Sequence, residues 1–183
     1  FVAQVMTPRG ATPLTCDPKP YRIEGGDGTA VPARSVIIAT GAQYRKPDIP
    51  NLSTFEGAGV YYNATFMEAQ LCSAEEVMVV GGANSAGQAA VFLSQTAARV
   101  LMLGRGNGLA DTMSRYLVHR IEGTPNIDLQ TNAEIVALEG DARLQSVQCC
   151  DNRTGQITRR AIRHVFLMTG ALPNTRWLAG CVA

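Results

Sequence analysis

The stretch Val77-Met78-Val79-Val80-Gly81-Gly82-Ala83-Asn84-Ser85-Ala86-Gly87 decides how this chain folds. Four consecutive apolar residues read as a buried strand. Glycines then break the run, and apolar Ala86, Ala89, Ala90, Leu93 and Ala97 follow at spacings of three and four. That spacing is one face of a buried helix. A glycine-rich turn between strand and helix has a physical use, because glycine takes positive φ and lets a ligand approach the backbone. The helix behind it aims unpaired N–H groups and its positive dipole end at the turn, which suits a pyrophosphate. Gly81 makes the tight turn and Ala86 permits close packing of helix on strand. Ala83 holds the middle position of the GxGxxA pattern, where its methyl group crowds a pyrophosphate.

Working outward, Val100-Leu101-Met102-Leu103 makes the next strand and ends at Gly104-Arg105-Gly106. Dinucleotide sites specific for NAD place an acid near this point for the ribose 2′-OH, and NADP sites place a cation for the 2′-phosphate. The chain offers Arg105, 24 residues beyond Gly81, and no acid there. A guanidinium grips a phosphate in bidentate fashion, so Arg105 favours NADPH over NADH. Arg115 is a weaker second contact, more often solvent-facing. Residues 111–122 are expected as an amphipathic helix with Met113, Leu117 and Ile121 on one stripe. Strands are expected at 127–130, 135–138, 144–150, 156–162 and 164–168, with Asp151-Asn152-Arg153-Thr154-Gly155 as a hairpin turn. This order describes an α/β, Rossmann-like three-layer domain with a β-meander crossover.

Upstream, Tyr21 to Glu24 reads as a strand entering the turn Gly25-Gly26-Asp27-Gly28. Val36-Ile37-Ile38-Ala39 reads as a buried strand ending at Thr40-Gly41. Pro47, Pro50, Gly57 and Gly59 punctuate residues 45–60 as a connection between two bodies. Thr65 to Leu71 reads as a short helix with Phe66, Ala69 and Leu71 turned inward.

Composition bounds the function classes. The 183 residues are 46% hydrophobic and 17% charged, enough apolar material for a real core. Sixteen basic against fifteen acidic residues, without basic blocks, argue against nucleic acid or anionic membrane as partners. No apolar run approaches the ~18 residues of a membrane span. The eighteen glycines are an excess, roughly 10% against a usual ~7%. Cys16, Cys72, Cys149, Cys150 and Cys181 are odd in number and lack CxxC or Cys/His ligand spacing, so no disulfide framework or metal site is expected and a reducing cytoplasm fits. The chain opens at Phe1 without a signal-like segment and reads as part of a longer protein.

Taken together, Ile37-Ile38-Ala39-Thr40-Gly41-Ala42, then Gly59-Val60, then the Gly81–Gly87 loop, then Phe166-Leu167-Met168-Thr169-Gly170 and Pro173-Asn174-Thr175 resemble the motif order of thioredoxin reductases. These belong to the class II pyridine nucleotide-disulfide oxidoreductases. The resemblance implies a two-domain flavoprotein oxidoreductase in which NADPH reduces FAD, and is compatible with a homodimer. It implies residues 1–57 as part of the FAD-binding domain, 58–172 as the NADPH-binding domain and 173–183 as the return segment. It implies Gly81, Gly82, Ala83, Asn84, Ser85, Ala86, Arg105 and Gly170 around NADPH, and Thr40 and Gly41 near FAD.

Two departures qualify this. The family's redox-active CxxC aligns with Tyr62-Asn63-Ala64-Thr65-Phe66, so Asn63 and Phe66 stand at the cysteine positions. Neither forms a thiolate, and thiol–disulfide exchange needs one, leaving no catalytic residue assigned and the electron acceptor unknown. Cys72 has no partner nearby, and the neighbours Cys149 and Cys150 point to opposite faces of a strand. The family's first glycine fingerprint and terminal Gly-Asp segment are not in this sequence, so FAD is expected only in the full-length parent. Ala83, Asn63 and Phe66 keep a second reading open: a degenerate, non-catalytic module for sensing or protein interaction. His119 and His164 read as surface or structural residues, and Trp177 as packing.

Overall fold

The computed structural model describes residues 10–178, 180 and 181. The chain divides into two compact units, residues 1–43 with 171–183, and residues 44–170.

In the first unit, β1 (Ala11–Thr15), β2 (Tyr21–Gly25) and β3 (Ala30–Ala33) form an antiparallel sheet in chain order. The expected turn after Tyr21–Glu24 is present, closed by a Gly28 N–H to Gly25 carbonyl bond at 2.9 Å, with Gly28 at φ +80°. β4 (Ala42–Tyr44) pairs with β13 (Ala171–Pro173). The buried strand expected at 36–39 does not form: Ile37 is 95% exposed and the segment has no strand partner among the described residues. Four apolar residues become a buried strand only where neighbours cover both faces, and the described residues of this unit supply none. Cys16 and Cys181 are joined as a disulfide with Cα atoms 5.4 Å apart, correcting the expectation of none. The odd cysteine count concealed the pair, because 165 residues separate the partners.

The second unit begins with α1 (Leu52–Phe55), β5 (Val60–Tyr61) and α2 (Phe66–Leu71). The core elements follow: β6 (Glu76–Val80), α3 (Asn84–Leu93), β7 (Arg99–Leu103), α4 (Arg115–Glu122) and β8 (Ile127–Gln130). The meander β9 (Ala133–Gly140), β10 (Leu144–Asp151) and β11 (Ile157–Arg160) precedes β12 (Val165–Leu167). A parallel sheet runs β5-β12-β6-β7-β8, and the antiparallel meander runs β11-β10-β9.

Alternation along the parallel strands builds three layers. Val77, Val79, Val100, Met102 and Phe166 pack with α3 and α4 residues such as Ala86, Ala90, Leu93 and Leu117. Met78, Leu101, Leu103, Val165 and Leu167 pack on the other side with Ile135, Leu138, Val147 and Cys149 of the meander. Strands covered on both faces read as continuous apolar runs, which is why 77–80 and 100–103 were legible. Each such side chain, fully buried, contributes roughly 1.5–3 kcal/mol. Among the described residues, no helix is long and apolar enough to cross a membrane.

Glu139 clamps the three meander strands together. Its carboxylate accepts from Ser146 Oγ at 2.7 Å, Gln148 Nε2 at 2.5 Å and Arg159 Nε at 2.6 Å. These bonds, led by Ser146, hold its pKa down at about 2. A depressed carboxylate contributes stability that is complete above its unfolded value near 4.5 and lost as pH falls through 2. The melting temperature is therefore expected to fall between pH 4.5 and 2 more steeply in the wild type than in Glu139→Gln; parallel curves would contradict the clamp.

Candidate dinucleotide-binding site

Gly81 leaves β6 at φ +148°, and a Cβ there would lie 2.5 Å from the Met168 carbonyl oxygen and 2.9 Å from Ala86 Cβ. Only glycine fits both the dihedral and the space. Ala83, at φ −104° and ψ −180°, precedes α3 in ordinary extended geometry, so alanine costs nothing in backbone strain there. Its methyl group matters only to a ligand that approaches the turn. The first N–H groups of α3 face this turn with no helical acceptor.

The turn forms one wall of a cleft of about 380 Å³, within the usual size of ligand pockets. Of the expected site residues, Gly81, Gly82, Ala83, Ser85, Arg105 and Gly170 line it. Ala86 is fully buried beneath the turn. Asn84 is not among the lining residues; its Oδ1 accepts the Ser114 N–H at 2.8 Å, tying α3 to the start of α4. Gly170, at φ +96°, would place a Cβ in ordinary contact with Arg45 Cδ at 3.8 Å, so its dihedral and not a lack of space calls for glycine. Arg115 is the exposed first residue of α4 and lies outside the cleft.

The helix expected from 111 instead starts at Arg115. Residues 104–114 form a loop that leaves β7, crosses the cleft and returns to the glycine turn, where Thr112 Oγ1 donates to the Gly82 carbonyl at 2.7 Å. Met113 still packs in the core, over Gly87, whose missing side chain leaves room for its thioether. This loop brings Asn107, Gly108, Asp111 and Thr112 to the cleft, and Met168 and Thr169 complete the far wall. None of the four loop residues was picked out in the sequence as a site residue, Asp111 and Thr112 because the apolar stripe Met113–Leu117–Ile121 imitates one continuous helix from 111.

A second cleft of about 240 Å³ shares Ser85 and Met168 with the first and is otherwise lined by residues including Tyr62, Asn63, Gln88 and Phe92. Asn63 Oδ1 accepts the Tyr44 hydroxyl at 2.5 Å, and the Tyr44 ring stacks on Tyr62 at 5.4 Å. The Tyr62 hydroxyl donates to Glu56 Oε1 at 2.5 Å, and burial together with that carboxylate pushes its pKa upward. Phe66 opens α2 with its side chain 69% exposed, and Leu71 is 60% exposed, so only Ala69 of the three expected inward residues is buried. The capping box of Thr65 and Glu68 sets the start of α2, overriding the apolar pattern.

On the other unit, Thr40 Oγ1 donates to the Asn174 carbonyl at 2.8 Å, and Asn174 Nδ2 donates back to the Thr40 carbonyl at 3.0 Å. Gly41 follows at φ +70°, its carbonyl accepting the Asn174 N–H at 3.0 Å. The Ala-Thr-Gly and Pro-Asn-Thr motifs are thus locked to each other. Trp177 donates its indole N–H to the Asn174 carbonyl at 3.1 Å and lines a groove of about 310 Å³ with Leu172 and Pro173.

The remaining candidates are inert. Cys72 and Cys149 are buried and their thiols pushed up by that burial, Cys149 to about 11. His164 lies 3.3 Å from Glu75 and is shifted down by burial, while exposed His119 pairs with Glu122. Among the described residues, no group of three or more His, Cys, Asp or Glu side chains is arranged to hold a metal ion.

The chain is similar over most of its length to known proteins. The family model described as pyridine nucleotide-disulphide oxidoreductase matches residues 4–182. The chain is 35% identical over 155 residues to a thioredoxin reductase of Treponema pallidum (strain Nichols), covering 85% of this chain and 49% of that protein. It is 30% identical over 162 residues to an NADH dehydrogenase of Bacillus subtilis (strain 168), covering 88% of this chain and 31% of that protein. Among solved structures, Lactococcus lactis thioredoxin reductase in its FR conformation matches with a TM-score of 0.76 at 25% identity, over 93% of this chain and 55% of that one. The chain thus spans between about a third and a half of the curated relatives it matches.

Proposed function

Because the chain belongs to the pyridine nucleotide-disulphide oxidoreductase family, we propose that it is the NADPH-binding part, with flanking FAD-side segments, of a thioredoxin-reductase-like flavoprotein. The observation that carries this reading is the cleft built on Gly81, whose carbonyl neighbour and dihedral admit no side chain. A turn that only glycine can make there, backed by the N-terminus of α3, suits a pyrophosphate. Gly82 and Ser85 would flank the phosphates and Arg105 would meet the 2′-phosphate. NADPH, when bound, supplies a hydride for a flavin. The chain's own contribution is to hold the dinucleotide and to orient it through the loop that Thr112 and Asn84 fasten to the glycine turn.

Thr40 and Gly41 are proposed on the FAD side, where the hydrogen bonds to Asn174 set the local backbone. No CxxC occurs among the five cysteines, so the electron acceptor in this reading is a separate molecule. Cytoplasmic location belongs to the same proposal; the free thiols of Cys72, Cys149 and Cys150 support it and the Cys16–Cys181 disulfide runs against it. Ala83 at the cleft wall favours the competing reading of a degenerate module that binds no nucleotide.

Titration with NADPH separates the two. Binding is expected to raise the melting temperature, since a ligand at ~100 times its Kd adds roughly 2.7 kcal/mol to stability. An unchanged melting curve and no calorimetric heat at millimolar NADPH would overturn the nucleotide reading in favour of the degenerate module.

A further inference from the structure

The cleft carries two opposite charges, and neither is spent on another described residue. Among the described residues, Arg105 and Asp111 are the only charged ones that line it. No ion pair or side-chain hydrogen bond joins either to another described residue, and they do not pair with each other. Arg105 stands at the end of β7, where a dinucleotide's adenosine ribose is recognised. Asp111 comes six residues later in the same loop. Its neighbour Thr112 is pinned to the Gly82 carbonyl at 2.7 Å, and Ser114 to Asn84 at 2.8 Å. Those bonds hold the end of the loop, and Asp111 with it, at the cleft although the loop around Arg105 is rich in glycine.

We propose that Asp111 is a specificity-determining residue of this cleft: it accepts hydrogen bonds from the ribose hydroxyls of an unphosphorylated adenylate and opposes a 2′-phosphate. The proposal rests on reading the cleft as a dinucleotide site, and deepens it. Arg105 attracts the 2′-phosphate and Asp111 repels it, so the pair narrows the preference for NADPH and admits NADH as a second nucleotide. A carboxylate has two acceptor oxygens and can take a hydrogen bond from each hydroxyl of a vicinal diol, and a like charge near a phosphate dianion costs affinity at low salt. The sequence hides this acid because it follows the usual acidic position and sits under a helical pattern.

The test uses the 183-residue chain and two probes that differ only by the 2′-phosphate, adenosine 2′,5′-bisphosphate and 5′-AMP, titrated calorimetrically at low ionic strength. Asp111→Asn is expected to tighten the bisphosphate about fivefold and weaken 5′-AMP about fivefold, so their affinity ratio moves by roughly 25-fold. Asp111→Glu is expected to keep the wild-type ratio within about twofold, and melting curves check that both variants fold. If both probes bind the wild type and Asp111→Asn leaves the ratio unchanged, the role of Asp111 is overturned while the dinucleotide reading stands. If neither probe binds the wild type, both fall together.

Discussion

Gly81→Val is expected to destabilise the second unit by about 3 kcal/mol or more and to abolish NADPH binding. The residue sits at φ +148°, which a β-branched side chain adopts only with strain. A Cβ would also press within 2.5 Å of the Met168 carbonyl, part of the chain leaving β12, which cannot rotate away as a side-chain tip does. Nearby Ala86 Cβ, at 2.9 Å, blocks movement in the other direction. Relief therefore requires shifting α3 against the sheet, and with it the N–H groups that face the cleft. Thermal unfolding followed by circular dichroism measures the first effect and calorimetry with NADPH the second. A variant that melts like the wild type would show that the turn is not fixed in this conformation.

Arg105→Ala is expected to weaken NADPH by about 10- to 100-fold and NADH by less than about threefold. The side chain is exposed at the cleft rim and makes no ion pair with another described residue, so stability should change by under ~0.5 kcal/mol. Because the expected contact joins an exposed cation to a phosphate, the difference between the cofactors should shrink as salt is raised. Equal losses for NADPH and NADH would mean that Arg105 shapes the loop and does not meet the 2′-phosphate.

Much of this could be read from residue order. The runs 77–80 and 100–103 announced themselves because a parallel sheet covered on both faces needs no polar alternation. The hairpin at 151–155 was legible from its turn residues, and Asp151 does bond Arg153 in the turn. Val36–Ala39 misled for the same reason that the other runs succeeded. Apolar content marks what a segment prefers to touch, and the described residues of the first unit offer Ile37 nothing to touch. Phe66 and Leu71 misled because a six-residue helix is set by its caps and buries little beyond Ala69.

Residue order alone carries the architecture of the second unit and the glycine at its centre, since strand periodicity, helix periodicity and a turn needing positive φ are all local properties of the chain. It also named Arg105, which stands where a strand ends. It takes the folded chain to show that Asn84 spends its side-chain oxygen on Ser114, that residues 104–114 fold back to the glycine turn, and that Asp111 thereby shares a cleft with Arg105. Those relations depend on hydrogen bonds between residues about thirty positions apart, and no periodicity along the chain encodes a bond of that span.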